Sequence, residues 1–360
     1  MLGKRDDMIV HEPEPYNAEP PRGALAEAPL TPVSTFYSRN HGPIQHIDAD
    51  SWRLRVDGLV ERPVELSLTD LRGSYREVTL VATLQCAGNR RQGLIEVRDI
   101  AGEHPWGPAA TATAEWTGVR LVDVLAAVGV KAEATDVAFD APDVSELAEP
   151  PQGYGASIPL FKATGGEVLL AWAMNGESLT PAHGAPLRVV VPGYIGARSV
   201  KWIERITVQR EPSTNYFQET AYRLLPPEGS PAPGVGVPLG AIAVNSEILV
   251  PDDGQRLPVG STVIAGYALA GDDRSIVRVD VSIDGGRFWR QADLADDLGP
   301  WAWRLWSLEG DLPLGTLEIV ARAWDSSAAL QPERPEHVWN PKGYVNNSWA
   351  RVHVTVVAGA

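Results

Sequence analysis

Cysteine is all but missing: Cys86 is the single one among 360 residues. One thiol excludes an intrachain disulfide and any zinc site built from two or four cysteines. Long apolar runs are missing as well, and without a stretch of about 18 such residues no membrane-spanning helix is expected. The opening, residues 1–13, has no apolar h-region, no small-residue cleavage site and no twin-arginine pair. Such a start reads as cytoplasmic, or as periplasmic if a leader has been removed. Positive charge is scarce: 31 Lys and Arg stand against 46 Asp and Glu, a formal net charge of −15. That balance argues against nonspecific nucleic-acid binding and for solubility. An anionic substrate would need a local basic pocket to override the global field.

What is present points to a loop-rich, β-heavy chain. Thirty prolines and 34 glycines disfavour helical bundles, and 44% hydrophobic residues are ample for a core. The length suggests about two domains. Residues 1–30 are acidic and proline-rich and read as an extended surface arm. The Pro/Gly/Ser-rich stretch 226–235 reads as a linker. This divides the chain into an arm (1–30), a first domain (31–225), the linker, and a second domain (236–360). In the first domain, 77–84 is β-prone. Leu121, Val124, Leu125 and Val128 follow helical spacing, with Gly129 as a stop. Ser67 or Thr69 would cap a short helix. The second domain carries about seven short alternating strands, among them 261–269, 277–283, 301–306, 317–324 and 352–356. That is the pattern of an immunoglobulin-like sandwich.

Cys86 sits at a strand end, followed by Ala87-Gly88-Asn89 and then Arg90 and Arg91. Residue type alone leaves three readings: a buried core thiol, a nucleophile beside a histidine, or one thiolate ligand to a metal carried by an organic cofactor. Nearby guanidinium groups would favour the thiolate. Two further segments are chemically dense. One is Arg39-Asn40-His41. The other runs from His183 through Arg188 to Ser199-Val200-Lys201, a short buried strand rimmed by cations on irregular backbone. Cations and backbone N–H groups in such loops suit a phosphate-bearing ligand.

The string Leu84-Gln85-Cys86-Ala87-Gly88-Asn89-Arg90-Arg91 resembles the molybdenum-cysteine segment of the sulfite oxidase family of molybdopterin enzymes. The similarity extends from about residue 31 to 357. It implies an α+β fold in which a molybdopterin-binding catalytic domain precedes an all-β, immunoglobulin-like dimerisation domain, and it implies a homodimer. Cys86 would bind molybdenum, whose other sulfur ligands come from the pterin dithiolene. Arg39, Asn40, His41, Asp143, His183, Arg188, Ser199, Val200 and Lys201 match cofactor-contacting positions. Arg39, Arg91, Trp106, Tyr222 and Arg351 match positions around the substrate oxyanion. A lysine that many members carry shortly after the second arginine has no counterpart between Arg91 and Trp106.

The activity implied is oxidation of sulfite to sulfate at a cysteine-ligated molybdenum. Nitrate reduction or another sulfur-compound dehydrogenation on the same scaffold is the alternative. Tyr222 and Arg351 favour sulfite, because nitrate-reducing relatives replace them. A non-catalytic binding protein would leave the cysteine and Ser-Val-Lys segments unexplained. No His-Pro-Gly-Gly segment and no Cys-x-x-Cys-His haem site occurs. The chain thus reads as a bacterial type without a haem domain. Its electron acceptor would be a separate cytochrome, a small molecule or oxygen.

Overall fold

A computed structural model describes residues 2–358. The first domain is built on two five-stranded sheets. In one, Glu77–Gln85 pairs antiparallel with Thr111–Arg120, which pairs with Leu169–Met174, and the last strand also takes Arg188–Val190. β-branched Val78, Thr79, Val81 and Thr83 suit this pleated setting. The strand runs straight into Cys86, so the sheet itself delivers the thiol. In the other sheet, Arg205–Gln209 lies parallel to Leu54–Gly58 and antiparallel to Asp136–Ser145. The helix Leu121–Val128 buries its four apolar positions, and Gly129 ends it with φ 72°. The short helix Leu68–Ser74 is capped by Ser67, in a reciprocal box with Asp70.

The second domain is a sandwich. A four-stranded sheet is centred on Gly260–Leu269 and Arg304–Leu312, and a five-stranded one on Gly315–Asp325 and Ala350–Val357. Ile248, Val279, Trp306, Ile319 and Val352 fill the space between them. Each such side chain contributes about 1.5–3 kcal/mol by leaving water. The core of the first domain continues into this one through Leu249, Tyr267, Leu269 and Trp303. Arg90 adds a polar clasp. Its Nε meets the buried Glu247 carboxylate at 2.7 Å, and its Nη1 donates to the Ser348 carbonyl at 2.8 Å. Removing one partner of such a pair costs about 3–5 kcal/mol.

Two expectations change. The N-terminal arm is not simply draped on the surface. Ile9–Pro13 and Tyr16–Glu19 form a hairpin, and Asn17, Ala18 and Glu19 are fully buried against the first domain. Its acidic composition hid this, because the buried carboxylate of Glu19 is satisfied by the N–H groups of Gly107 (2.5 Å) and Ala109 (2.9 Å). The linker is likewise pinned. Arg223–Leu224 pairs with Val237–Pro238, and the Arg223 guanidinium donates to the carbonyls of Gly234, Val235 and Gly236.

Candidate active site

Beyond Gln85 the chain turns sharply. The Gly88 N–H donates to Cys86 Sγ at 3.4 Å, the Asn89 N–H to the Cys86 carbonyl at 3.0 Å, and Arg90 adopts φ 64°. A Cβ at Gly88 would lie 2.6 Å from the Arg91 guanidinium, so glycine is what lets that cation lie against the loop. Cys86 is buried, and it opens into an inner chamber whose wall includes Asn40, Asp143, His183, Arg188 and Lys201. Burial pushes the thiol above its usual range and outweighs the opposing pull of Arg91 and Arg39. The thiolate expected from neighbouring arginines is therefore not the resting form of the chain alone. Metal coordination deprotonates a thiol outright.

Side chains on the chamber wall are held by backbone. Arg188 donates to the carbonyls of His183 and Ser199, each at 3.0 Å. Ser199 Oγ accepts from the Val191 N–H at 3.0 Å, and the Val200 carbonyl from the Val189 N–H at 2.8 Å. The Ser199-Val200-Lys201 segment is thereby laid along the buried strand. Lys201 donates to Asn40 Oδ1 and, at 3.2 Å, to the Ala182 carbonyl. Burial, reinforced by Arg188, holds its pKa well below the lysine range. Burial and the cations Lys4, Arg188 and Lys201 keep His183 neutral. Lys4 reaches in from the N-terminus to His183 Nε2 at 2.7 Å, and burial lowers its pKa to about 7.

An outer funnel of about 540 Å³ adjoins this chamber. The two share Arg39, Asn40, His41 and Tyr222. His41 Nε2 and Tyr222 Oη are 2.6 Å apart, and the His41 ring stacks on Tyr154 at 4.7 Å. Burial raises the Tyr222 pKa, and burial with Arg39 and Lys201 lowers that of His41, so both are neutral. Tyr222 stacks on Tyr344 at 5.4 Å. Tyr344 and Lys342 enter the funnel wall from the second domain.

The sequence-derived site residues therefore separate. Cys86, Arg39, Asn40, His41, Asp143, His183, Arg188, Ser199, Val200, Lys201 and Tyr222 line one continuous space. Arg91 and Trp106 sit behind it. Arg91 is paired with Glu103 at 3.1 Å and donates to the carbonyls of His104 and Lys342. Trp106 is fully buried in the cluster around Cys86, packed on His11 at 4.5 Å, with no partner for its Nε1 among the described residues. Arg351 lies elsewhere. It pairs with Glu318 at 2.7 Å on the sandwich and lines neither cavity. On the strand Ala350–Val357 it alternates with the core residues Ala350 and Val352, so its side chain faces away from the sandwich core. Lys342, bonded to Glu103, is the cation that the second domain brings to the funnel. Sequence reasoning missed it. Asn340-Pro341-Lys342-Gly343 reads as an ordinary turn, and only Gly343 hints otherwise: a Cβ there would lie 2.5 Å from Arg91 Cγ.

The donor set can be tested against a metal–pterin cofactor. Among the described residues no cluster of three or more His, Cys, Asp or Glu could hold a metal. Cys86 offers one soft ligand, so the metal must bring its other donors with it. Arg39, Arg188 and Lys201 face the chamber with Asp143 as their only carboxylate there. That excess suits a bound phosphate. Asp143 Oδ1 is buried without a partner among the described residues, which suits a ligand that presents N–H groups. Molybdopterin meets all three conditions.

Comparison with known proteins gives the same answer. The oxidoreductase molybdopterin binding domain matches residues 41–217, and the Mo-co oxidoreductase dimerisation domain matches 238–357. Sulfite oxidase of Gallus gallus is 41% identical over 359 residues, covering 95% of this chain and 76% of that protein. Sulfite oxidase of Arabidopsis thaliana is 41% identical, covering 97% and 94%. The NAD(P)H nitrate reductase of Hordeum vulgare is 36% identical, covering 95% of this chain and 41% of that protein. Among solved structures, the sulfane dehydrogenase SoxCD of Paracoccus pantotrophus superimposes with a TM-score of 0.83 at 28% identity, covering 96% and 86%. The single thiol, the cationic chamber and these matches together make the chain a molybdopterin-dependent oxidoreductase of the sulfite oxidase family.

Proposed function

We propose that the protein oxidises sulfite to sulfate, with Cys86 as the protein ligand to molybdenum. One observation carries this reading: Arg39, His41 and Tyr222 line both cavities, so a small oxyanion in the funnel meets a guanidinium and a phenol where the Cys86 chamber begins. When bound, Mo-molybdopterin supplies the oxygen atom and takes up the electron pair that sulfite gives up. Lys201, Arg188 and the Ser199-Val200 backbone would hold the cofactor's phosphate, and Asp143 would accept from its N–H groups. Arg39 neutralises the oxyanion, because charge-assisted guanidinium contacts suit small oxyanions. Lys342 adds a second positive charge from the second domain.

Tyr222 acts as a neutral donor. Its proton can point to substrate only if His41 keeps its own proton on Nε2 and donates to the phenol oxygen. The neutral state of His41 permits that tautomer. Arg91 and Trp106 act as positioning residues behind the wall. Arg351 lines neither cavity, so this reading takes its preference for sulfite over nitrate from Tyr222 and from the relatives.

The electrons leave to a separate acceptor: a cytochrome, a small molecule or oxygen. The second domain pairs two copies into a homodimer, in keeping with the dimerisation family it matches. No helix among the described residues is long and apolar enough to cross a membrane. The test is a steady-state assay of molybdenum-loaded protein with sulfite against ferricyanide, cytochrome c and oxygen. A parallel assay uses nitrate and reduced viologen. Turnover of nitrate without turnover of sulfite would replace this reading.

A further inference from the structure

The buried N-terminal hairpin lies outside the residues matched by either family domain. Glu12, Glu14 and Pro15 line the funnel, and one residue of the hairpin reaches the Arg39 side chain. Asn17 is 0% exposed. Its Oδ1 accepts from the Asn40 N–H at 2.6 Å and from Arg39 Nη1 at 3.4 Å. Its Nδ2 donates to Glu12 Oε2 at 2.6 Å, which fixes the amide orientation. The neighbouring backbone is pinned too: Ala18 and Ser38 exchange N–H···O bonds of 2.8 and 3.0 Å, and Asn40 Nδ2 donates to the Tyr16 carbonyl at 2.5 Å. Arg39 Nη1 also donates to the Asn40 carbonyl, and Asn17 holds that same residue by its N–H, so Asn17 bears on the guanidinium both directly and through Asn40. No carboxylate pairs with it among the described residues.

We propose that Asn17 is a positioning residue for the anion subsite, aiming the Arg39 guanidinium between the two cavities without neutralising it. An aspartate or glutamate partner would hold Arg39 as well but would cancel the charge that an oxyanion needs. A neutral amide carbonyl orients the cation and leaves its charge available. This deepens the sulfite reading and rests on it. The effect it assigns to Asn17 is on anion affinity, read separately from cofactor content.

Glu19, two residues on, is the internal control. It holds the 107–109 turn and pairs with His11 at 2.9 Å, and among the described residues its side chain makes no hydrogen bond or ion pair to Arg39 or to a residue of the Cys86 chamber. In the molybdenum-loaded protein, Asn17→Ala is expected to raise the sulfite KM about tenfold, with kcat within about twofold, as loss of a hydrogen bond to a charged group implies. Molybdenum and pterin content stay unchanged. Glu19→Gln is expected to lower the melting temperature while leaving KM alone. Asn17→Asp combined with Glu12→Gln keeps the acceptor and the hydrogen bond to residue 12 but sets a carboxylate against Arg39, so KM should stay raised although the fold is held. Should the alanine variant not fold, this double variant against Glu12→Gln alone carries the test.

Sulfate titration of the same proteins by calorimetry reports anion affinity without turnover. A protein that binds sulfate but does not oxidise sulfite would sink the activity and spare the inference. Equal sulfate affinity and equal KM in the parent and Asn17→Ala would overturn the role of Asn17. So would a double variant with the parent's KM.

Discussion

In the inner chamber Arg188 and Lys201 are tied to backbone carbonyls, and Asp143 is the one carboxylate on the wall. In the funnel, Arg39 and Lys342 stand among Glu12, Glu14, Glu103 and Glu146. The chamber carries net positive charge and the funnel net negative charge, although they share four residues. The difference teaches how long each ligand stays. A resident anion can balance a permanent cationic excess, because its binding offsets the desolvation that depresses Lys201 and Arg188. A transient anion must arrive and leave. Cations held by Glu103 and acidic neighbours give modest affinity and easy release of a dianionic product.

Variants can break this contrast in graded steps. The largest effect is expected from Cys86→Ala, which removes the only soft ligand. Sulfite oxidation should fall to background and molybdenum, measured by metal analysis, should be lost, while the cationic wall still retains pterin. Arg39→Gln comes next. Its KM for sulfite should rise about ten- to a hundredfold with molybdenum retained, the range for losing a charged hydrogen bond. Unchanged kinetics would remove Arg39 from the pocket.

Third is a matched pair on the second domain. Lys342→Ala should raise KM about three- to tenfold, a smaller loss because Glu103 already screens that charge. Arg351→Ala should leave KM within about twofold and change stability by less than about 1 kcal/mol, as partly exposed ion pairs do. A larger kinetic effect from Arg351 would restore it to the site.

The smallest effect is a pH dependence of the cofactor-free chain. Burial raises the folded pKa of Asp143 above its unfolded value. The folded state therefore holds its proton longer, and the contribution of this group to stability falls as pH rises from about 4 towards neutrality. Asp143→Asn should remove that slope. The variant should melt higher than the parent at pH 8 in differential scanning calorimetry, yet retain less pterin. A parent and variant that melt alike across that range would show that Asp143 is not destabilised by burial.

Local sequence carried much of this. Cys86 is legible because the strand that delivers it, the small residues after it and the two arginines are contiguous. The chamber wall is legible for the same reason: His183 to Lys201 is one strand with its flanking loops, so spacing determines which groups face together. Arg90 and Arg91 show where contiguity stops helping. They are neighbours in sequence, yet one clasps Glu247 in the second domain and the other stands behind the thiol with Glu103.

The amino-acid sequence by itself determined the single thiol, the cationic cofactor wall, the split into an α+β half and a β-sandwich, and the absence of disulfides. Local pattern and composition suffice for those. Only the tertiary structure decided that the acidic N-terminus folds inward to hold Arg39. Only it decided that Lys342 and not Arg351 reaches the funnel, and that burial outweighs the arginines at Cys86. Each of these depends on residues far apart in the chain, and on how much water is left between them once the two domains close on one another.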